Sequence, residues 1–336
     1  MKVERKRDMT MTDLAAAAGV SPMTVSNCFK HPGKVRPATL KKVLEIAAAI
    51  GYVPNLIASS LASGSSRMVA ALVPSLRNSN FAKTLQGLGD YLQPRGYELL
   101  LAVADNPEQE ERVVRSLLGR RAAGIVMTGN EHSAGTVGLI QQARIPVVET
   151  WLDKEPCIDM AAGFSLFDAA RDIARMMIAK GVQHIGWAGH SSPHNDRYVQ
   201  RQRGFQQAMQ DAGLRSDLIF SAPESVGFAT GRLAIEALLR QEPRLQGMCC
   251  VTDIVASGAL FECLRRGWSV PEQFSVAGYG DYEIAAEVPP GLTTVRTNGG
   301  EIGRAAGEML LQKIETGRVE SRVRQVPYEI IVRRSL

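Results

Sequence analysis

The sequence predicts an α/β protein: an all-α N-terminal part, then a core of two lobes built on parallel sheets. Three observations carry that expectation. Two helical segments meet at Gly19, close to the N-terminus. Beyond Ser63-Gly-Ser-Ser66, a junction flexible by composition, short apolar runs alternate with amphipathic helical segments. That alternation describes a parallel sheet covered by helices on both faces. It occurs twice, the second series opening near Asp168, so two such sheets are expected.

The N-terminal elements follow from their punctuation. Thr10 and Ser21 are good N-caps, because a hydroxyl accepts the orphan N–H groups of a first helical turn. Gly19 suits the left-handed residue that stops one helix and lets another start at a steep angle. Pro22 then takes the first helical position, where its missing N–H costs nothing. This is a helix-turn-helix pattern, whose second helix lies in the DNA major groove. Pro22, Met23 and Asn27 lie where such a helix reaches base edges, and Ser21, Thr24 and Ser26 carry short hydroxyls suited to phosphates. Thr10 joins this DNA-facing set at the start of the first helix. A third helix is expected over 39–50, followed by Gly51-Tyr-Val-Pro-Asn55 and a small-residue segment through Leu61. So short a helix is marginal alone. Leu61 is either a wedge for a minor-groove step or a packing residue under the headpiece. The boundaries expected are 1–54 for the headpiece, 55–66 for hinge and linker, and 67–336 for the core.

Charge is placed unevenly. The formal net charge is +5, and residues 1–66 hold nine Lys/Arg against four Asp/Glu, so the whole excess lies with the DNA-reading part. Phosphate contact requires such a distribution. A hydrophobic fraction of 45% and a charged fraction of 22% are those of an ordinary soluble globular protein, long enough for a large core. The five cysteines form no zinc spacing, and Cys249-Cys250 sit inside an apolar run, so reduced core thiols are expected. No apolar run has transmembrane length, and no apolar stretch follows the basic N-terminus as a secretory signal requires. A cytoplasmic protein with no membrane partner is the expectation.

In the first lobe, strands are expected at 68–74, 97–104, 124–128 and 145–149, with helices at 81–93, 107–120 and 136–143. In the second, strands are expected at 184–188, 217–221, 247–252 and 275–279, with helices at 168–180, 200–212, 228–240 and 255–266. Two facing α/β lobes leave a cleft at the carboxyl ends of their strands, where small ligands bind.

Catalytic signatures are missing: there is no Gly-x-Gly-x-x-Gly after a first strand, no P-loop, no Gly-x-Ser-x-Gly and no His-Glu-x-x-His. His190 and His194 share a loop, but no third metal ligand stands near. Neither an enzyme nor a metal or cofactor is expected. Binding has better candidates. Ser75, Asn78 and Phe81 lie between the first strand and its helix, at the cleft mouth. Arg197 and Arg201, four residues apart, either hold a carboxylate or phosphate from one helix face or form a solvated surface pair. Asp253 ends a strand, as a ligand contact, an N-cap, or both. Glu149 and Trp151 end the Ile145-Pro-Val-Val strand, where Trp151 is a sugar-stacking face or a core lid.

Helix-turn-helix, third helix, Gly-Tyr-x-Pro-Asn and a short helix ending in Leu-Ala together resemble the headpiece and hinge of the lactose-repressor family. The resemblance extends over essentially the whole chain. It implies a periplasmic-binding-protein-like core of two Rossmann-like lobes. It also implies that a 292–297 strand, a 300–315 helix and a 325–332 strand supply crossovers between lobes. Within the family the chain looks most like the gluconate-utilisation repressors. The local marks are Pro74-Ser-Leu-x-Asn78-x-x-Phe81-Ala, Ile145-Pro-Val-Val-Glu149, Pro156-Cys-x-Asp159-x-Ala-x-Gly-Phe164 and Gly204-Phe-x-Gln-Ala-Met209-x-Asp-Ala-Gly213. Those marks imply a sugar acid effector, gluconate or a keto-gluconate, free or phosphorylated, and add Phe164 to the effector set. The family implies a homodimer, or a higher oligomer, on a pseudo-palindromic operator. Two departures stand out. Asn27 replaces the usual Arg, so the chain reads a different base or touches a phosphate there. Gly280-Asp281 replaces a pair of acidic residues, leaving Asp281 alone to contact a sugar hydroxyl. The competing reading is a sugar-acid binding protein or enzyme with an incidental N-terminal domain.

Overall fold

A computed structural model describes residues 9–53, 66–76, 79–190, 196–222 and 227–336 of the chain, which divides into two units, Met1–Ser66 and Arg67–Leu336. In the first, helices α1 (Met11–Ala18), α2 (Pro22–Lys30) and α3 (Pro37–Ile50) enclose a core of Leu14, Ala15, Ala18, Val25, Cys28, Val43 and Ala47. The start and stop signals act as their chemistry requires. Thr10 and Asp13 form a capping box on α1, each satisfying the other's backbone N–H. Gly19 ends α1 at φ +63, a conformation cheap only for glycine, and its N–H returns to Ala15 and Ala16 carbonyls.

The second unit contains two six-stranded sheets. Strands β1 (Met68–Val73), β2 (Glu98–Val103), β3 (Gly124–Thr128), β4 (Val147–Thr150) and β5 (Met160–Gly163) make the first, with β11 (Val323–Gln325) at its edge, in the order β11-β5-β4-β3-β1-β2. Strands β6 (Ile185–His190), β7 (Ile219–Ala222), β8 (Gly247–Cys250), β9 (Ser275–Gly280), β10 (Thr293–Arg296) and β12 (Glu329–Ile331) make the second, ordered β12-β10-β9-β8-β6-β7. All neighbours are parallel except β10 and β12. The chain therefore crosses between lobes three times, after β5, after β10 and after β11. The crossovers implied by the family resemblance are present.

Helices α4 (Ser79–Leu92), α5 (Pro107–Gly119) and α6 (Ala134–Ala143) belong to the first lobe. Helices α7 (Leu166–Ala179), α8 (Asp196–Asp211), α9 (Phe228–Gln241) and α10 (Asp253–Arg266) belong to the second, and a short α11 (Glu283–Glu287) follows β9. Helix α12 (Gly299–Thr316) returns to the first lobe and lies on α4. Three helix pairs, α4 with α12, α7 with α8, and α9 with α10, touch through glycines. A Cβ on Gly87, Gly204 or Gly258 would come within 2.0, 2.1 or 1.9 Å of a backbone carbonyl oxygen of the opposite helix. These are close approaches that no side chain permits.

Two elements depart from expectation. Met160-Ala-Ala-Gly163 is a buried strand absent from the expected set, because a Met, two Ala and a Gly, none β-branched, carry no strand signal. The single strand expected over 325–332 is two, one in each sheet. Pro327 lies in the break, where its missing N–H cannot serve a ladder.

Candidate functional site

On α2, Val25 and Cys28 point into the headpiece core, which leaves Pro22, Met23 and Lys30 on the open side, Met23 being 70% exposed. Ser26 and Asn27 are half-buried on the same short helix. Ser21 caps the helix: its hydroxyl oxygen accepts from the Thr24 N–H at 3.1 Å, and the two hydroxyls are 2.9 Å apart. Thr10 is likewise engaged in the α1 cap, its hydroxyl donating to Asp13 at 2.7 Å. A hydroxyl holds two lone pairs and one proton, so a capping serine retains capacity for a further partner. Asn55 and Leu61 lie outside the described residues.

In the core, Ser75 follows β1 and Phe81 sits buried in the first turn of α4; Asn78 lies outside the described residues. Trp151 ends β4 at φ +65, with its ring edge-on to Phe81 and to Phe164, both at 6.0 Å. Its indole N–H is buried without a partner among the described residues. From the second lobe, Arg197 lays its guanidinium 5.2 Å over the Phe81 ring. Phe81, Trp151, Phe164 and Arg197 therefore form one aromatic and cationic cluster spanning both lobes.

Arg197 and Arg201 stand one turn apart on α8. Arg201 is only 7% exposed; its Nε donates to the Arg197 carbonyl at 3.1 Å and its Nη1 to the Val251 carbonyl at 2.7 Å. The Tyr279 ring lies 4.6 Å below it, with a buried hydroxyl that has no partner among the described residues. Neither arginine forms a salt bridge with a carboxylate of the described residues. Burial, and then the neighbouring Arg201 charge, pull Arg197 down to about 10.

The three carboxylates expected to meet a ligand are engaged internally. Asp253 is fully buried in the first turn of α10, and Thr252, not Asp253, is the N-cap. Its oxygens accept from the Thr294 hydroxyl at 2.5 Å and the Tyr282 N–H at 2.7 Å, while burial raises its pKa to about 6. Asp281 receives Arg296 at 2.7 Å and Arg333 at 2.8 Å. Gly280 before it has φ +130, and a Cβ there would meet the Tyr282 ring at 2.3 Å, so this backbone leaves no room for an acidic side chain. Glu149, 1% exposed, accepts from the Ile158 N–H at 2.5 Å and lies 3.4 Å from His132.

His132 escaped the sequence reading, as did its partner Glu110, while Glu149 reads there as a ligand contact. Its Nδ1 is 2.9 Å from Glu110, and its Nε2 lies near both the Gly129 carbonyl and Glu149. Burial pulls the imidazolium down, but hydrogen bonds to two glutamates outweigh it and hold the pKa at about 9. Glu110, His132 and Glu149 are far apart in sequence, so no motif announces them. The His190 Nδ1–H donates to the Ala222 carbonyl at 2.8 Å, and His194 lies outside the described residues. Among the described residues no cluster of three or more His, Cys, Asp or Glu could hold a metal, and no helix is long and apolar enough to cross a membrane.

Known proteins share this architecture. Residues 10–55 match the bacterial regulatory proteins of the lacI family, and residues 174–336 match the periplasmic binding protein-like domain. The chain is 34% identical over 311 residues to the HTH-type transcriptional regulator GntR of Escherichia coli strain K12, covering 92% of this chain and 93% of that protein. It is 33% identical over 331 residues to the regulator GntR of Pseudomonas aeruginosa, covering 97% and 95%. The crystal structure of a LacI family transcriptional regulator from Silicibacter pomeroyi superposes with a TM-score of 0.90 at 32% identity, covering 97% of this chain and 99% of that one. The chain belongs to the lacI family of bacterial regulatory proteins and is a DNA-binding transcriptional regulator, not an enzyme.

Proposed function

We propose that this regulator is a homodimer whose grip on a pseudo-palindromic operator is switched by a small sugar acid, of gluconate or keto-gluconate type, held between the core lobes. The observation that carries the reading is the Arg197–Arg201 pair. A guanidinium as buried as Arg201 is costly to leave without a counter-charge, and the described residues offer it carbonyl oxygens and aromatic faces only. An anionic ligand would supply that charge. The aromatic cluster of Phe81, Trp151 and Phe164 gives the apolar wall, and the orphan Trp151 N–H and Tyr279 O–H are donors for oxygen-rich ligands. The local marks shared with gluconate-type repressors and the similarity to regulators named GntR support the sugar-acid class. In this reading Asp253, Asp281 and Glu149 shape the walls, because their oxygens are already engaged.

A ligand shifts an equilibrium only through differential contact with two states. An acid touching both lobes favours one lobe angle, which in a dimer sets the spacing of the two hinge segments; release of DNA is the proposed sign. Calorimetric titration with gluconate and 2-ketogluconate tests the site, beside operator binding with each acid present. Arg201→Ala should lose about 1.5–3 kcal/mol of acid affinity and keep binding operator in the acid's presence. Arg201→Lys, which keeps the charge but not the fork, controls for folding. A parent protein that binds neither acid overturns the effector assignment. Unchanged affinity in a folded Arg201→Ala protein overturns the anion clamp.

A further inference from the structure

The loop between β3 and α6 carries Glu131, which reaches out of the first lobe. Its Oε2 accepts from the backbone N–H of Asp196, the first residue of α8, at 3.1 Å. That N–H opens the helix on which Arg197 and Arg201 stand. A helix N-terminus is an end of partial positive charge, so Glu131 places a carboxylate at an electropositive end of the second lobe. Its charge also acts on Arg197.

The loop is held for this role. The Gly129 N–H donates to the Thr150 carbonyl at 2.9 Å, and the His132 ring ties the Gly129 carbonyl to Glu110 of α5 and Glu149 of β4. Ser133 caps α6 immediately beyond. Glu131 is thus the exposed tip between a pinned glycine and a buried histidine. Around it lies a cavity of only about 60 Å³, lined by Glu110, Thr128, Asn130, Glu131, Asp196 and Arg197. Ligand pockets usually hold roughly 300–1,000 Å³. Glu131 therefore bridges the lobes at the Arg197 edge of the proposed acid site, across a space that would have to widen to pass a six-carbon acid.

We propose that Glu131 is a built-in counter-anion: it latches the lobes by occupying the electropositive end of α8, and an acid effector must displace it to enter. This rests on the acid-effector reading above and adds its regulation. The apparent affinity of a ligand falls with the fraction of protein closed to it, so the latch sets the threshold concentration for the switch. Such a device also discriminates by charge, because a neutral sugar has nothing to exchange for the displaced carboxylate.

The test titrates sodium gluconate into full-length parent, Glu131→Gln and Glu108→Gln. Glu108 is exposed on α5 and controls for the general loss of one negative charge. Titrations run at ordinary ionic strength and at about 1 M salt, where the Debye length is about 3 Å and long-range effects vanish. Glu131→Gln should bind gluconate roughly threefold to tenfold more tightly than parent at ordinary ionic strength, and stay tighter by a smaller ratio at high salt. Glu108→Gln should match the parent at high salt. Binding by Glu131→Gln alone also supports the latch, as one the parent does not open. A Glu131→Gln protein no tighter than Glu108→Gln overturns the latch and leaves the acid reading standing. If neither parent nor Glu131→Gln binds, the acid reading falls and the latch with it.

Discussion

At the scale of single residues, chemistry is set by what each side chain already holds. Asn27 is one of the two positions where the sequence departs from the pattern implied by its family resemblance, and an Asn reads adenine as an Arg reads guanine. Asn27→Arg should change the preferred base at one symmetric pair of operator positions. Selection from a random pool checks it, and an unchanged consensus would show that Asn27 touches only backbone. His132 makes the opposite case, a residue whose importance comes only from burial. Its pKa of about 9 exceeds the unfolded value near 6.5, so its stabilisation is complete below about pH 6.5 and is lost as pH rises through 9. The amount is of the order of 3 kcal/mol. Removing the ring leaves Glu110 and Glu149 facing each other in the lobe, so His132→Ala should cost about 3–5 kcal/mol at neutral pH. The variant should also lose the alkaline fall in stability. Denaturant melts across that pH range report both effects.

At the scale of elements, helices are legible by their caps and invisible in their pairing. Thr10, Ser21, Asn106, Ser133 and Ser165 each cap a helix through a side-chain oxygen, and such signals are local. The contacts that lock helices into lobes are glycine-sized and non-local. Gly204 illustrates this: a Cβ there would lie 2.1 Å from the Phe167 carbonyl oxygen, and α7 would have to move off α8. Gly204→Ala should destabilise the protein by about 1–3 kcal/mol despite the better helix propensity of Ala. Because α8 carries Arg197 and Arg201, the same change should weaken acid binding. A melt and a titration on one sample separate the two losses; a variant as stable as the parent would mean the helices are not held by this contact.

At the scale of the whole molecule, the described residues of the second lobe expose large apolar side chains on two adjoining helices. Phe228 and Leu233 on α9, and Phe261 and Leu264 on α10, are exposed, Leu264 by 78%, and the Phe228 and Phe261 rings meet at 5.8 Å. A cluster of that kind is unusual on a monomer, and the homodimer proposed above needs a self-complementary face. Leu264→Asp should shift the protein toward monomer in sedimentation and weaken binding to a palindromic operator far more than to a half-site. A Leu264→Asp protein that sediments as the parent does would place the subunit contact elsewhere.

The sequence by itself determined the helix-turn-helix, the two-lobed plan and the arginine pair. Each rests on signals a few residues long: Thr10 and Ser21 as caps, Gly19 as a stop, apolar runs of strand length, and two arginines one helical turn apart. The tertiary structure alone decided what those residues could still bind. Asp253, Asp281 and Glu149 looked available as ligand contacts, and each has its oxygens taken by partners distant in sequence. The Glu110–His132–Glu149 cluster was silent for the same reason, whereas the Met160–Gly163 strand was silent because its residues carry little strand propensity. Local propensity and spacing are written along the chain. The partner that satisfies a buried charge is chosen by which strands and loops the fold brings together, and no window of sequence contains both halves of that contact.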